Sequence, residues 1–370
     1  MVNWSVGRYR GKYESRPDGA ALAALVLLLL GTACSEPASS SSPANSVSDT
    51  ATDTATDTDT DTVTDTDTAT ATATDTDTDT DTDTATDTDT VTDTVTAPTP
   101  LDLASQVASA NLVATISALE ALGTRFTHSG GDELARDLLV ARLQSLGLNP
   151  ELDPFTVGPS TAHNIIVRKP GVEQPEVVYI LSAHYDSTSQ TPQTYAPGAD
   201  DNASAVAAVL EAARILQPHA FRFSLWFVFT AAEEQGSLGS KHMVGWLKQQ
   251  GVNVQGVIAP DMIGYWPLGD DDKLDILGDT ASENLVTFMS TMAKSLNVPS
   301  KAWIRHDYCY GDDHTLFQEA GFAAISPMDC VEAHNLPASG ETTPHYHKAS
   351  DTLATLHLPF TTRVVRVLVA

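Results

Sequence analysis

Cysteine is scarce: the 370 residues hold three, Cys34, Cys309 and Cys330, and none has a partner at Cys-x-x-Cys spacing, which argues against a cysteine-bound zinc. Positive charge is scarce as well. Lys and Arg number 20 against 48 Asp and Glu, for a net charge of −28, and no basic patch or arginine-rich stretch supports nucleic-acid binding. The apolar stretch at residues 20–30 is too short to cross a membrane, having eleven residues where a spanning helix needs about 20. The first hundred residues also lack any composition that could form a core, which leaves one globular domain at residues 101–370.

Arg8, Arg10, Lys12 and Arg16 precede the short apolar stretch and Gly31-Thr32-Ala33-Cys34 follows it. A basic region, a hydrophobic region and a small-residue cleavage site make residues 1–34 read as an export signal. Cys34 stands where bacterial lipoproteins keep their lipidated cysteine; Thr32-Ala33 fit that motif, and Gly31 departs from it where Leu is usual. The expectation is an exported protein, held at the cell surface or outer membrane only through a lipid on Cys34, with ordinary cleavage and secretion as the alternative. In an exported domain the even pair Cys309 and Cys330 suggests one disulfide. Residues 35–100 read as a disordered stalk. From residue 49 to 96 Thr alternates with Asp, Ala or Val, so a strand there would have nothing to bury and could not offset its ordering entropy. Fifteen aspartates lie between Asp49 and Asp93; without them the net charge of −28 falls to −13, so the acidity is mostly the stalk's and implies no basic partner.

Three apolar runs stand out in the remainder, at residues 177–181, 223–229 and 254–259, each short and rich in β-branched or aromatic side chains. Runs apolar on both faces are expected of parallel strands covered by helices on both sides. Helices are predicted near residues 103–122, at 131–146, at 203–216, after Gly236, and from about Pro359. The alternation implies an α/β fold, a mostly parallel sheet with helices on both faces. In such sheets ligands bind beyond the carboxyl ends of the strands.

At those ends the sequence places metal-binding side chains. Ala183-His184-Tyr185-Asp186 follows the first run; His184 and Asp186, two apart, can point the same way, one to bind a metal and the other to orient its ring. Gly198-Ala199-Asp200-Asp201-Asn202 precedes a helical segment, where one Asp can cap the helix and the other bind metal. Glu233-Glu234 follows the second run. Burying two adjacent carboxylates without a cation would cost several kcal/mol, so one reads as a ligand and the other as a general base. Asp261 closes the third run, and Pro344-His345-Tyr346-His347 supplies two histidines ahead of Asp351-Thr352, of which His345 reads equally as a surface residue.

Taken in order from residue 184 to residue 352, these motifs resemble the zinc-dependent exopeptidases typified by the leucyl aminopeptidases that bacteria secrete, in peptidase clan MH. The resemblance implies a three-layer αβα sandwich around a mixed sheet of about eight strands, and two zinc ions per chain. It makes His184, Asp201, Glu234, Asp261 and His347 the metal ligands, with Asp201 bridging both ions. Glu233 becomes the catalytic base and Asp186 the residue beneath His184. Asp313-His314 resembles a segment near the family's substrate pocket, although Asp312 replaces its Ser; Tyr308 or Tyr310 takes the place of a tyrosine that helps hold the reaction intermediate. Cys309 and Cys330 are spaced differently from the archetype's cysteines.

The resulting expectation is a monomeric aminopeptidase acting on peptide or protein N-termini through a zinc-activated water. Within the clan the rivals are a glutaminyl cyclase, which shares a His-Tyr-Asp-Ser stretch and uses one zinc, and a carboxypeptidase or dipeptidase. From another class, a catalytically silent binding module on a stalk would be free to lose Glu233. Zn, Co and Mn accept similar ligands.

Overall fold

The structure is a computed structural model that describes residues 97–266, 273–304, 311–329 and 343–370. The expected export signal, the stalk up to residue 96, Cys34, Tyr308, Cys309, Tyr310 and Cys330 lie outside the described residues; the last residues assigned to the stalk belong to the folded part, where Thr99 caps a helix that starts at Pro100. Eight strands, β1 (Glu151–Val157), β2 (Ser160–Lys169), β3 (Gln174–His184), β4 (Phe223–Thr230), β5 (Asn253–Ile258), β6 (Leu274–Gly278), β7 (Ser300–Ile304) and β8 (Ala324–Met328), form one mixed sheet in the order β1-β2-β4-β3-β5-β8-β6-β7. The centre, β4-β3-β5-β8, is parallel; β1, β2 and β6 join antiparallel to their inner neighbours, and β7 lies parallel to β6.

The helices are α1 (Pro100–Ser105), α2 (Ser109–Glu120), α3 (Gly131–Ser145), α4 (Ala205–Leu216), α5 (Leu238–Gln250), α6 (Glu283–Ser295), α7 (Asp313–Glu319) and α8 (Leu358–Val369). Side chains alternate across the pleat. In β4, Phe227 and Phe229 therefore join one apolar cluster, with α1 to α4, α6 and α8, while Trp226 and Val228 join another with Met243 and Leu247 of α5 and Phe317 of α7. Two cores on opposite faces make the three layers expected, and explain why the runs at 177–181 and 223–229 are apolar on both faces, with Ser224 the one polar residue. Helix α4, buried apart from Arg214 and Leu216, has the all-round apolar surface of a helix inside a core.

The single helix predicted over residues 103–122 is two helices. Ala108 is extended, and its N–H donates to Glu211 Oε1 of α4 at 2.9 Å, while Asn111 Nδ2 donates to Glu211 Oε2 at 2.9 Å. Arg214 Nη2 closes the break by donating to Gln106 O at 2.8 Å. A carboxylate about a hundred residues downstream thus satisfies the start of α2, which no local pattern could announce.

For the site, register matters most. Leu181 of β3 pairs with Phe227 of β4 and Ile258 of β5, and His184 pairs with Thr230. The carboxyl ends of the three strands therefore lie level at one edge. A slip of one residue would turn every side chain to the wrong core, so the level is fixed by both faces at once.

Candidate metal centre

His184 is the last residue of β3, Asp261 comes three residues after the end of β5, and Asp201 sits in the π-turn Ala199–Ser204 that leads into α4. Glu234 comes four residues after β4, and His347 lies in the turn before α8. These five converge. His184 Nε2 is 3.3 Å from Asp201 Oδ1 and 3.5 Å from Asp261 Oδ2; His347 Nε2 is 3.3 Å from Asp201 Oδ2 and 3.1 Å from Glu234 Oε2. Two donor groups result, His184–Asp201–Asp261 and Asp201–Glu234–His347, each with its donor atoms within 4.8 Å of one another. Asp201 belongs to both and gives one oxygen to each.

Main-chain hydrogen bonds aim these side chains. Asp186, which is wholly buried, accepts from Glu233 N and Glu234 N at 3.1 and 3.2 Å and stands 3.5 Å from His184 Nδ1. It therefore orients the histidine and the Glu-Glu turn together. Asp351 accepts from Asp200 N at 2.8 Å and Asp201 N at 3.0 Å. Neither Asp of the Asp200-Asp201 pair caps α4, as the sequence suggested: the cap residue is Ser204, without a side-chain bond, and Asp200 instead accepts from Gly264 N and Tyr265 N at 2.7 and 3.1 Å. With Asn202 Nδ2 donating to Pro260 O at 3.2 Å and Ser204 Oγ accepting from Ile263 N at 3.2 Å, the turn holds the segment that carries Asp261. Ala232, Met262 and His347 have φ of +57°, +44° and +53°. Each is a ligand, or stands next to a ligand or to Glu233, in a backbone region that non-glycine residues rarely occupy, as is common at functional sites.

The electrostatics call for a cation. Burial disfavours charge at His184, yet the Asp261 charge and contacts with Asp186 and Asp201 push its pKa well above the usual imidazole range. His347 is pushed up to about 10, where burial is outweighed by Asp201 and Glu234. Burial, with the Asp201 charge, lifts Glu234 to about 8 against the pull of His347, and burial raises Asp261 against the attraction of His184. Only Asp201 stays below the carboxylate range: burial opposes its charge, and the His184 and His347 contacts outweigh that. Protons thus stand in for positive charge the cluster otherwise lacks. His184 Nε2, Glu234 Oε1 and Asp261 Oδ1 are buried without a hydrogen bond, a costly state unless they ligate something. Two imidazole nitrogens with carboxylate oxygens are a donor set suited to zinc. The residues fit the metal.

Of the other residues picked from sequence, Glu233 is half-buried at the centre and its Oε1 accepts from Ser237 Oγ at 2.7 Å. Its carboxyl is pushed well above the usual range by burial, against His184 and with Asp313, Glu234 and Asp261 adding to the rise. Asp313 is buried, its Oδ2 accepting from Thr230 Oγ1 at 2.6 Å, so it ties α7 to the end of β4. His314 is buried beside it, with its pKa taken down to about 4 by desolvation. His345 belongs to neither donor group; its Nδ1 pairs with Ser350 Oγ at 2.9 Å. Met262 and Tyr346, next to Asp261 and His347, pack with Leu277, Met328 and Trp303 in a small apolar cluster beside the ligands. Asp351 was visible in sequence only as part of the Asp351-Thr352 landmark, and Arg125 carried no signal.

Fold and site together define a metal-dependent hydrolase of the α/β class, with its candidate ligands at the carboxyl edge of the parallel centre of a mixed sheet. The chain belongs to peptidase family M28, a family of zinc metallopeptidases, whose pattern matches residues 164–370. A curated relative in Pyrenophora tritici-repentis, described as a probable zinc metalloprotease, is 28% identical over 72% of this chain and 74% of its own. A second protein of that strain with the same description is spanned over 57% of its length. These relatives are fungal rather than bacterial. Bacterial proteins match in fold: an aminopeptidase of Legionella pneumophila, LapA, superposes with a TM-score of 0.62 at 20% identity over 73% of this chain and 72% of that one. A glutaminyl cyclase of Fimbriiglobus ruber does so with 0.59 at 19% over 71% and 94%.

Proposed function

We propose that the protein is a di-zinc aminopeptidase that removes the first residue of peptides. The observation that carries this reading is the shared carboxylate of Asp201, whose two oxygens face two separate donor groups. That is what a pair of ions requires and what a single ion does not. Zinc bound by these residues supplies Lewis acidity and a water of lowered pKa.

The remaining work falls to the chain. Glu233, half-buried and fixed through Ser237, takes the proton of the attacking water and returns it to the leaving amine. Asp186 holds the tautomer and tilt of His184. A solved aminopeptidase of similar fold supports this reading over a carboxypeptidase. On the same reading the enzyme acts outside the cell, carried there by residues 1–34.

The glutaminyl cyclase reading has its own support, in the similar fold of such an enzyme and in His184-Tyr185-Asp186-Ser187. Hydrolysis of free and N-acetylated aminoacyl amides by the purified full chain, with and without chelator, separates the two when metal content is measured alongside. Chelator-sensitive cleavage of free-amine substrates alone, with about two zinc per chain, supports the peptidase. Cyclisation of an N-terminal glutamine with one zinc supports the cyclase. Glu233→Ala should keep its metal and lose about 10²- to 10⁴-fold in kcat; a metal-loaded variant with parental turnover refutes the base assignment.

A further inference from the structure

Arg125 follows α2 and precedes the segment that matches the family, and it is completely buried. Its guanidinium meets no carboxylate within salt-bridge distance among the described residues. Instead it donates to three main-chain carbonyls: Nε to Tyr185 O at 2.8 Å, Nη1 to Pro197 O at 2.6 Å and Nη2 to Gly198 O at 2.8 Å. Its backbone N donates to Ser187 Oγ at 3.1 Å, which in turn donates to Ala196 O at 2.7 Å.

These partners lie on two loops. Tyr185 and Ser187 belong to the loop that carries His184 and Asp186; residues 196–198 belong to the loop that delivers Asp201. We infer that Arg125 is a positioning residue for the metal centre: its planar fork fixes the spacing of the two loops, and so the pitch of the Asp201 carboxylate toward both donor groups. The inference rests on the reading of the centre as a metal site.

The chemistry suits arginine alone. A guanidinium offers donors in a rigid plane and can serve three carbonyls that converge from two directions; an ammonium offers a point charge on a flexible stem. The cation is also placed where it helps, since burial disfavours its charge while Asp351, Asp186, Asp201 and Glu234 all favour it. It offsets part of the carboxylate excess without occupying a ligand position. Packing at Gly198 is correspondingly tight: a Cβ there would come within 2.9 Å of Arg125 Nη2 and 2.4 Å of Asp201 O.

A purely structural arginine would stabilise the fold and leave metal affinity unchanged in folded molecules. The test is zinc titration of the metal-stripped full chain against a chromophoric chelator, for the parent, Arg125→Met, Arg125→Lys and, as a destabilised control remote in sequence from every ligand, the core change Leu139→Ala in α3. Folded Arg125→Met should bind both ions about 10- to 100-fold more weakly, the usual cost of losing a residue that orients ligands, while Leu139→Ala keeps parental affinity. Parental affinity in Arg125→Met, or an equal loss in Leu139→Ala, overturns the inference. If Arg125→Met does not fold, Arg125→Lys decides: it keeps the charge but not the fork, so weakened zinc binding supports the inference and parental affinity overturns it. A parent chain that takes up no zinc refutes the metal centre itself, and this inference with it.

Discussion

His184 ends β3 and Asp261 stands three residues beyond β5, and they leave 2% and 10% of their side chains exposed, whereas His347, across the same Asp201 carboxylate, comes from a turn and leaves 40% exposed. One half of the centre is thus built by the register of a parallel sheet. The other half needs residues 343–352 to settle before it exists, although Glu234 within it is 3% exposed. Ordering a turn costs conformational entropy that a strand end has already lost to the sheet. Two ions bound to such unequal halves should differ in affinity, the tighter at His184 and Asp261.

Asp201→Ala gives the largest effect, because it removes an oxygen from each half at once: zinc should fall from two per chain toward none and turnover to background, read by metal analysis of the dialysed protein. A variant that keeps one tight ion would show the halves to be independent. Next comes His347→Ala, which should retain about one zinc per chain and lose most activity; loss of both ions would erase the distinction between halves. A smaller effect concerns pH. The raised pKa of His347, about 10, stabilises the metal-free protein below the unfolded value near 6.5, and that stabilisation is lost as pH rises through 10. Zinc needs the neutral ring, so its binding runs the other way. The Tm difference between zinc-loaded and stripped protein should therefore widen between about pH 6 and about pH 9; a constant difference would place His347 outside the ligand set. Smallest is Ala232→Gly: relief of a left-handed alanine beside Glu233 is offset by loss of a buried methyl and by the freer unfolded chain, so the Tm of the stripped protein should move by less than about 2 °C.

How legible all this was depended on distance along the chain. The apolar runs at 177–181, 223–229 and 254–259 announced β3, β4 and β5, because a strand covered by helices on both faces is mostly apolar, with Ser224 and Gln255 as exceptions. The motifs at their ends could be read because each is local, and the structure brings His184, Asp201, Glu234, Asp261 and His347 to one place. What was hidden is what reaches across the fold. Glu211 breaks the first predicted helix from a hundred residues away, Asp200 bonds the 264–265 backbone instead of capping α4, and Arg125 bonds carbonyls 60 to 73 residues ahead. Main-chain partners leave no mark on the sequence that supplies them.

The bonds from Asp200 N and Asp201 N to Asp351 span about 150 residues and tie the turn of Asp201 to the segment that carries His347. They also impose an order of events on synthesis. A nascent chain that has reached residue 340 has its parallel strands, its Glu-Glu turn and Asp261, but has neither His347 nor the carboxylate that steadies the shared aspartate. Such a chain lacks part of the proposed centre, which cannot be complete before residue 351 has been made.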